Sequence, residues 1–397
     1  MRILTLTNGY PPHYYGGYEL TCFDVMERFR QAGHDVKVLT STARVPGVTA
    51  PDDAHVHRDL VPYWDWETNR RRQAWTPVGW WRTERRNLAT LAEMLDAVRP
   101  DVVSVWHMIG LSMSLLNRLE EVALPLVVTV GNDWMVQAPD FDPWVRTWAR
   151  WPFAAPASVG ALPTGLRPLT RARMNFVSDF IKQLSIAEGR WPVPADSPVI
   201  SPGIELRDFP ITTPTERPWT ARVIYVGRVD PVKGVDTLLR GFALLEATAQ
   251  LDIIGGGPHT YLREMRQLAD DLGVAERVRF GRCERHELRA RYLAADVLVF
   301  PSEWDEPFGL VPLEAMACGV PVVATATGGA AEFLAHEGNC LTYPPGDAVA
   351  LAAAVNRLAE DRDLVASLTA RGSETAARFT SDGYARALLR LHEEAAA

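Results

Sequence analysis

The chain has 397 residues, room for two or three domains of ordinary size, with 47% hydrophobic and 23% charged residues. Its formal charge is −8, from 41 basic and 49 acidic side chains, and its pI is about 5.7; nucleic acid is argued against, because binding a phosphate backbone needs a basic face. Cys22, Cys283, Cys318 and Cys340 form no C-x-x-C pair and no apolar run of about 18 residues occurs, so neither a zinc site, a disulfide framework nor a membrane span is expected, and a reducing cytoplasm is.

The sequence enters a strand at residues 3–7 without the pattern of a signal peptide. A loop rich in Gly, Pro and Tyr follows, then a helix expected over 18–32 with Gly33 as its stop, and a strand over 36–39. Gly16 and Gly17 therefore open a helix, where backbone lacking side chains can approach an anion. The dinucleotide fingerprint G-x-G-x-x-G is absent.

Residues 59–86 break the α/β rhythm: Tyr63, Trp64, Trp66, Trp75, Trp80 and Trp81 interleave with Arg70, Arg71, Arg72, Arg82, Arg85 and Arg86. A second patch holds Trp144, Arg146, Trp148, Arg150, Trp151 and Phe153. Packing of an insertion, with arginine stems over tryptophans, is the first reading; an acceptor site stacking on rings is the second and a membrane-headgroup surface the third. A helix over 88–98 ends before Pro100, and a strand over 102–106 precedes His107 and Gly110. Another strand, 126–130, runs into Gly131-Asn132-Asp133-Trp134. Asp140-Phe141-Asp142 reads as a solvated turn rather than a metal-binding pair. Strand-like pieces at 176–180 and 199–204 close the first domain, and 205–220, rich in Pro, Thr and charge, reads as a linker.

The alternation restarts at 223–226, followed by Gly227-Arg228-Val-Asp-Pro-Val-Lys233-Gly234 and a helix from Val235. Arg228 and Lys233 thus sit at a strand's carboxyl end, placed to offer two positive charges to an anionic leaving group. Gly255 and the run Gly281-Arg282-Cys283 follow two further strands, in loops where backbone groups can read a base. Next come a strand at 297–300, a polar loop, a short helix opened by Pro312 and stopped at Gly319, and a β-branched run at 320–324. Ligands of an open parallel sheet bind beyond the carboxyl ends of its strands. Glu306 on that loop and Glu314 on that helix can face one ligand, while the amides of about Gly309 to Val311 and the helix dipole suit a phosphate. Carboxylates beside a phosphate repel it unless they reach past it to hydroxyls; a phosphate flanked by two polyols is a nucleotide sugar.

Glu306-Pro-Phe308-Gly309-Leu310, Glu314-Ala-Met-Ala-Cys-Gly, Pro321-Val-Val-Ala, and Gly328-Gly329 followed by Glu332 resemble the donor-site signature of glycosyltransferase family 4. The resemblance covers nearly the whole chain, most strongly 223–329 and least 59–86. It implies an α/β, GT-B architecture of two Rossmann-like domains facing across a cleft. Residues 1–204 would form an acceptor-binding domain, 205–220 a linker and 221–378 a nucleotide-sugar-binding domain, with the last helix, about 379–397, crossing back to the first. Gly16 and Gly17, with Glu19, would close over the donor diphosphate. Glu314 would hold the ribose hydroxyls, Glu306 orient the sugar, and Arg228, Lys233 and the amides at 309–311 stabilise the departing diphosphate. Phe308, Leu310, Val311, Gly255, Arg282 and Cys283 would complete the donor side.

The family's Thr-x-His-Asp pattern is met by Thr129 and Asp133 with Gly131 and Asn132 between, so its imidazole is missing; Asn132 and His107 are the candidates to replace it. The implied activity is retaining hexosyl transfer from a nucleotide diphosphate-sugar to a hydroxyl of a small molecule, lipid or glycan, without metal or other cofactor, in the cytoplasm or peripherally at a membrane. A GT-B epimerase or phosphorylase and a catalytically silent nucleotide-sugar-binding protein are the alternatives. A glycosidase could also use two carboxylates, but it would leave the diphosphate-binding features without purpose.

Overall fold

The computed structural model describes residues 1–14, 16–65, 70–71, 76–150, 162–212 and 218–397, with side chains at 65, 70, 71, 149 and 150 excepted. Trp66, Arg72, Trp75, Trp151, Phe153 and part of the expected linker, 213–217, lie outside the described residues. The chain forms two compact units, Met1–Ser201 with Tyr384–Ala397, and Pro202–Gly383.

In the first unit, β1 (Arg2–Leu6), β2 (Asp35–Ser41) and β3 (Val56–Leu60) are followed by a small antiparallel pair, β4 (Trp64–Asp65) and β5 (Arg70–Arg71). Then come β6 (Val102–Val105), β7 (Leu126–Val130) and β8 (Ala172–Phe176), and the main sheet is parallel in the order β3-β2-β1-β6-β7-β8. The second unit repeats the plan with β9 (Arg222–Val226), β10 (Gln250–Ile254), β11 (Val278–Gly281), β12 (Val297–Phe300), β13 (Val322–Ala324) and β14 (Leu341–Thr342), in the order β11-β10-β9-β12-β13-β14. Helices cover both faces of a doubly wound parallel sheet, so its central strands are near-continuous apolar runs rather than alternating; β6, β7 and β12 are buried at every residue. Each sheet reverses its winding beside its first strand. Ile3 pairs with Val36 on one side and Val102 on the other, and Val223 with Leu251 and Val297. Beyond the carboxyl ends at such a reversal a crevice opens, and the loops entering it follow β1 and β6 in one unit and β9 and β12 in the other.

Several expectations are corrected. The helix expected over 88–98 spans Pro77–Val98: Thr76 caps it, accepting from the Gly79 amide at 3.2 Å, and Pro77 fits its first turn. The last part of the Trp/Arg segment, 77–86, is therefore helical, with Arg85 4.7 Å from the Trp81 ring centroid. Asp142 is no solvated turn residue. It is fully buried; Oδ1 accepts from the Trp144 and Val145 amides at 2.8 and 3.1 Å, and Oδ2 from the Met113 amide at 2.8 Å. Burial, then the charge of nearby Glu84, pushes its pKa well up. Glu84, buried too, accepts from the Tyr63 hydroxyl and from Ser112 Oγ, so these acids brace the fold. At the start of the expected linker, Phe209 is fully buried against Tyr292, with ring centroids 5.9 Å apart.

The last helix, Ser381–Ala396, sends Tyr384, Ala385, Leu388 and Leu391 into the core of the first unit with Ile3, Val36, Val102 and Val127. Phe379 stays in the second unit, against Phe308 and Phe333. Among the described residues, no helix is long and apolar enough to cross a membrane. On the last helix, His392 bonds the Leu388 carbonyl through Nδ1 at 2.7 Å and Ser104 Oγ on β6 through Nε2 at 2.9 Å.

Burial lowers the His392 pKa to about 4. A depressed folded-state pKa gives stability that is present above the unfolded value of about 6.5 and lost as pH falls toward 4. Urea denaturation between pH 7 and 4 should show the first unit losing on the order of 3 kcal/mol through this group. His392→Gln should make that slope shallower, whereas an unchanged slope would assign the loss elsewhere.

Candidate functional site

At the β9/β12 reversal the second unit brings together a cation and a carboxylate that lie 73 residues apart. Lys233 ends a short 3-10 turn after β9, and Gly234 follows with φ 62. A Cβ on Gly234 would stand 2.1 Å from the Pro301 carbonyl oxygen, so only glycine lets the two loops touch here. The Val232 carbonyl then accepts from the amides of Glu303 and Trp304 at 3.0 and 3.1 Å. This clamp places Lys233 Nζ 2.6 Å from Glu306 Oε1 and 4.6 Å from the Trp304 ring centroid. Their side chains are only 14% and 9% exposed, so neither charge has much water to fall back on.

Glu306 is fixed from behind as well. The Gly329 amide donates to its carbonyl at 2.6 Å, and a Cβ on Gly328, at φ 57, would lie 2.6 Å from the same oxygen. The Gly328-Gly329 pair thus holds up the acid loop. Arg228 is largely exposed, with Nη2 3.0 Å from Asp230.

The helix after the acid loop is Leu310–Ala317, two residues earlier than expected, with Gly309 as its N-cap at φ 95. No side chain caps it, and Leu310 and Val311 are half-buried at its open end. The Phe308 side chain instead joins Phe333 and Phe379 in a buried cluster, with centroids 5.1 and 5.4 Å away, which leaves its backbone as the group a donor would meet. Glu314 stands in the second helical turn, not the first; its Oε2 accepts from the Tyr292 hydroxyl at 2.8 Å. Burial pushes the Glu314 pKa up to about 7, with the Tyr292 hydrogen bond and Arg285 pulling down and Asp208 pushing up. At the ends of β10 and β11, Gly255 lies against the Gly227 carbonyl and the Arg282 guanidinium beside Gly256. Cys283 is half-buried, and burial raises its thiol pKa.

In the first unit, the loops after β1, β6 and β7 build a second cluster. Gly16 and Gly17 open the helix Gly17–Gln31, but Glu19 turns inward. Burial alone would raise its pKa, yet the His107 hydrogen bond and charge and the Glu19 and Gly16 amides hold it down. His107 Nδ1 is 3.2 Å from Glu19 Oε1, and His107 Nε2 is 3.2 Å from Asn132 Nδ2. Because Asn132 Oδ1 accepts from the Trp134 amide, its Nδ2 is the group facing the ring. An amide nitrogen only donates, so in the neutral ring Nε2 is the acceptor and Nδ1–H points to Glu19. Both candidates for the missing imidazole therefore belong to one hydrogen-bonded chain. Gly131 is explained alongside: a Cβ there would come within 2.0 Å of the Tyr18 ring, whose hydroxyl donates to the Thr129 carbonyl at 2.5 Å. Asp133 bonds Gln137, and burial raises its pKa. Tyr18, Tyr292 and Trp304 escaped the sequence reading, since each acts on a partner outside its own motif; only Trp304, beside the acids of the loop, had a local signal.

A family model described as glycosyl transferases group 1 matches residues 215–375, and one described as Glycosyltransferase Family 4 matches residues 15–207. Among curated relatives, the D-inositol 3-phosphate glycosyltransferase of Xylanimonas cellulosilytica is 34% identical over 215 residues, 50% of this chain and 51% of that protein. That of Salinispora tropica is 39% identical over 190 residues, 44% and 38% of the two. The chain spans about half the length, or less, of these curated relatives. Sucrose-phosphate synthase from Thermosynechococcus elongatus shares the fold with a TM-score of 0.73 at 22% identity, over 99% of both chains. Anabaena Alr3699/HepE, solved in complex with UDP and glucose, has a TM-score of 0.68 at 20% identity, over 98% of this chain and 99% of that one.

Removing one partner of a buried ion pair strands the other. Lys233→Met should lower the urea-derived stability of the second unit by about 3 kcal/mol, and Gly234→Ala should also destabilise it through strain and the Pro301 clash. Wild-type stability in both variants would show that the clamp is not rigid.

Proposed function

Because the chain belongs to the family-4 glycosyltransferases and has their α/β, GT-B architecture of two Rossmann-like units, we propose that it transfers a hexosyl group from a nucleotide diphosphate-sugar to an acceptor hydroxyl, with retention and without a bound divalent ion. The observation that carries this reading is the Lys233–Glu306 pair at the sheet reversal, beside the uncapped helix end at Gly309. Lysine has three N–H donors; one is spent on Glu306, and the others are available to a diphosphate oxygen. As the bond between sugar C1 and diphosphate oxygen breaks, the electron pair leaves with the diphosphate. Its growing charge meets Lys233 and the amides of Gly309 to Val311, fixed before reaction and so acting without reorganisation, together with the more exposed Arg228. Glu306, already tied to Lys233, orients the sugar through its hydroxyls, and Glu314 binds the ribose.

The first unit supplies the acceptor side. With its tautomer set by Glu19 and Asn132, His107 keeps the Nε2 lone pair on the Asn132 amide and accepts a proton there once an acceptor hydroxyl displaces that amide. It takes the place of the imidazole that the Gly131-Asn132-Asp133 sequence lacks. The acceptor is a small molecule, lipid or glycan; the names of the curated relatives point to a phosphorylated polyol for those proteins.

Thermal-shift measurements with UDP, GDP, ADP and dTDP, without divalent ion, should show at least one raising the melting temperature, because a ligand that binds only the folded state stabilises it. With the matching donor, turnover should survive EDTA, Glu306→Gln should lower kcat by roughly 10²–10³, and NMR of the product should show the donor's anomeric configuration. No stabilisation by any of the four, or complete loss of turnover with EDTA, would overturn the reading.

A further inference from the structure

Glu314 is held in place by a group from another helix. Tyr292, on the helix Arg285–Ala294, is fully buried, its ring packed edge-on against Phe209, and its hydroxyl ends on Glu314 Oε2 at 2.8 Å. Among the described residues, the second oxygen, Oε1, accepts no hydrogen bond, and Glu314 is only half-buried. The carboxylate is thus fastened at one oxygen and open at the other. A carboxylate on a free side chain would have to give up rotamer freedom to meet a ligand; here that freedom is already lost.

Resting on the donor reading above, we infer that Tyr292 is a positioning residue that aims Glu314 Oε1 at the ribose hydroxyls, and so sets the preference of the site for ribonucleotide over deoxyribonucleotide donors. The phenol does this as a fixed donor, because burial and the adjacent carboxylate raise its pKa well above the usual tyrosine value. It also favours the ionised carboxylate against the effect of burial. Glu314, with a pKa of about 7, is a charged acceptor above that pH and a weaker neutral one below it. The ribose preference must therefore shrink as pH falls through 7, and removing the phenol must move that change to higher pH.

The test compares Kd values for UDP, GDP and ADP with those of their 2′- and 3′-deoxy analogues, by calorimetry from pH 6 to 8.5, in wild type, Tyr292→Phe, Glu314→Gln and the double variant. The ratio within each pair cancels the ionisation of the diphosphate itself. Wild type should prefer at least one ribonucleotide roughly tenfold at pH 8, the size of one hydrogen bond to a charged acceptor, and lose that preference toward pH 6. Tyr292→Phe, which keeps the ring against Phe209, should lose most of the preference and shift what remains to higher pH. In the Glu314→Gln background it should change nothing further. A Tyr292→Phe protein with the wild-type ratio and pH dependence would reduce Tyr292 to packing and overturn the inference while leaving the donor reading intact. Wild-type protein that binds dTDP but none of the ribonucleotides would overturn the inference alone, and one that binds none of the four diphosphates would remove both. Should Tyr292→Phe fail to fold, a pH-independent wild-type ratio, or an unaltered ratio in Glu314→Gln, overturns the inference by itself.

Discussion

Two loops that leave neighbouring strands in opposite winding directions must be held within van der Waals contact for Lys233 to meet Glu306, and most of the second unit's distinctive sequence serves that approach. Gly234 removes the side chain that would collide with Pro301, the Val232 carbonyl takes two amides from the facing loop, and Gly328 and Gly329 close on the Glu306 carbonyl from behind. The resulting pair is poorly solvated, and its geometry, rather than its net worth to stability, is its use. A buried ion pair is seldom better than an apolar replacement, but it leaves a positive charge fixed where negative charge would develop, beside the open end of the Leu310–Ala317 helix. The same reversal in the first sheet gathers Glu19, in the first turn of the helix after β1, with His107 and Asn132 on the loops after β6 and β7.

How much of this the sequence discloses depends on the range of each constraint. Strands buried on both faces announce themselves, because β6, β7 and β12 are runs of Val, Leu or Phe interrupted only by Ser104 and Thr129. The edge strand β3 escapes: its VHRDL sequence is half polar, and its Arg58 is spent on the Tyr10 and Pro11 carbonyls. The start of the Pro77–Val98 helix was present in Thr76-Pro77, but the density of Trp and Arg around it suggested an insertion. The Asp142 and Glu84 network was invisible, since partners 21 to 29 residues away decide that these acids are buried braces and not solvated turns.

The same contrast runs through the candidate site. Glu306, Lys233 and the glycines could be named because motifs fix them. The departure at Gly131-Asn132 looked like a defect in sequence, yet in three dimensions Gly131 admits the Tyr18 ring and Asn132 sets the tautomer of His107. Glu19, expected to face a diphosphate, turns inward to orient that imidazole. Phe308 likewise lies in the core and offers only its backbone. Motif residues therefore divide into those that would touch a ligand and those that aim the ones that do, and the sequence alone does not separate the two.

The most direct measurement is a crystal structure with the nucleoside diphosphate that most raises the melting temperature. The account predicts a phosphate oxygen within about 3 Å of Lys233 Nζ, beside the Gly309 to Val311 amides, with the Lys233–Glu306 contact retained. A diphosphate bound elsewhere, with Lys233 making no contact to it, would contradict the central claim.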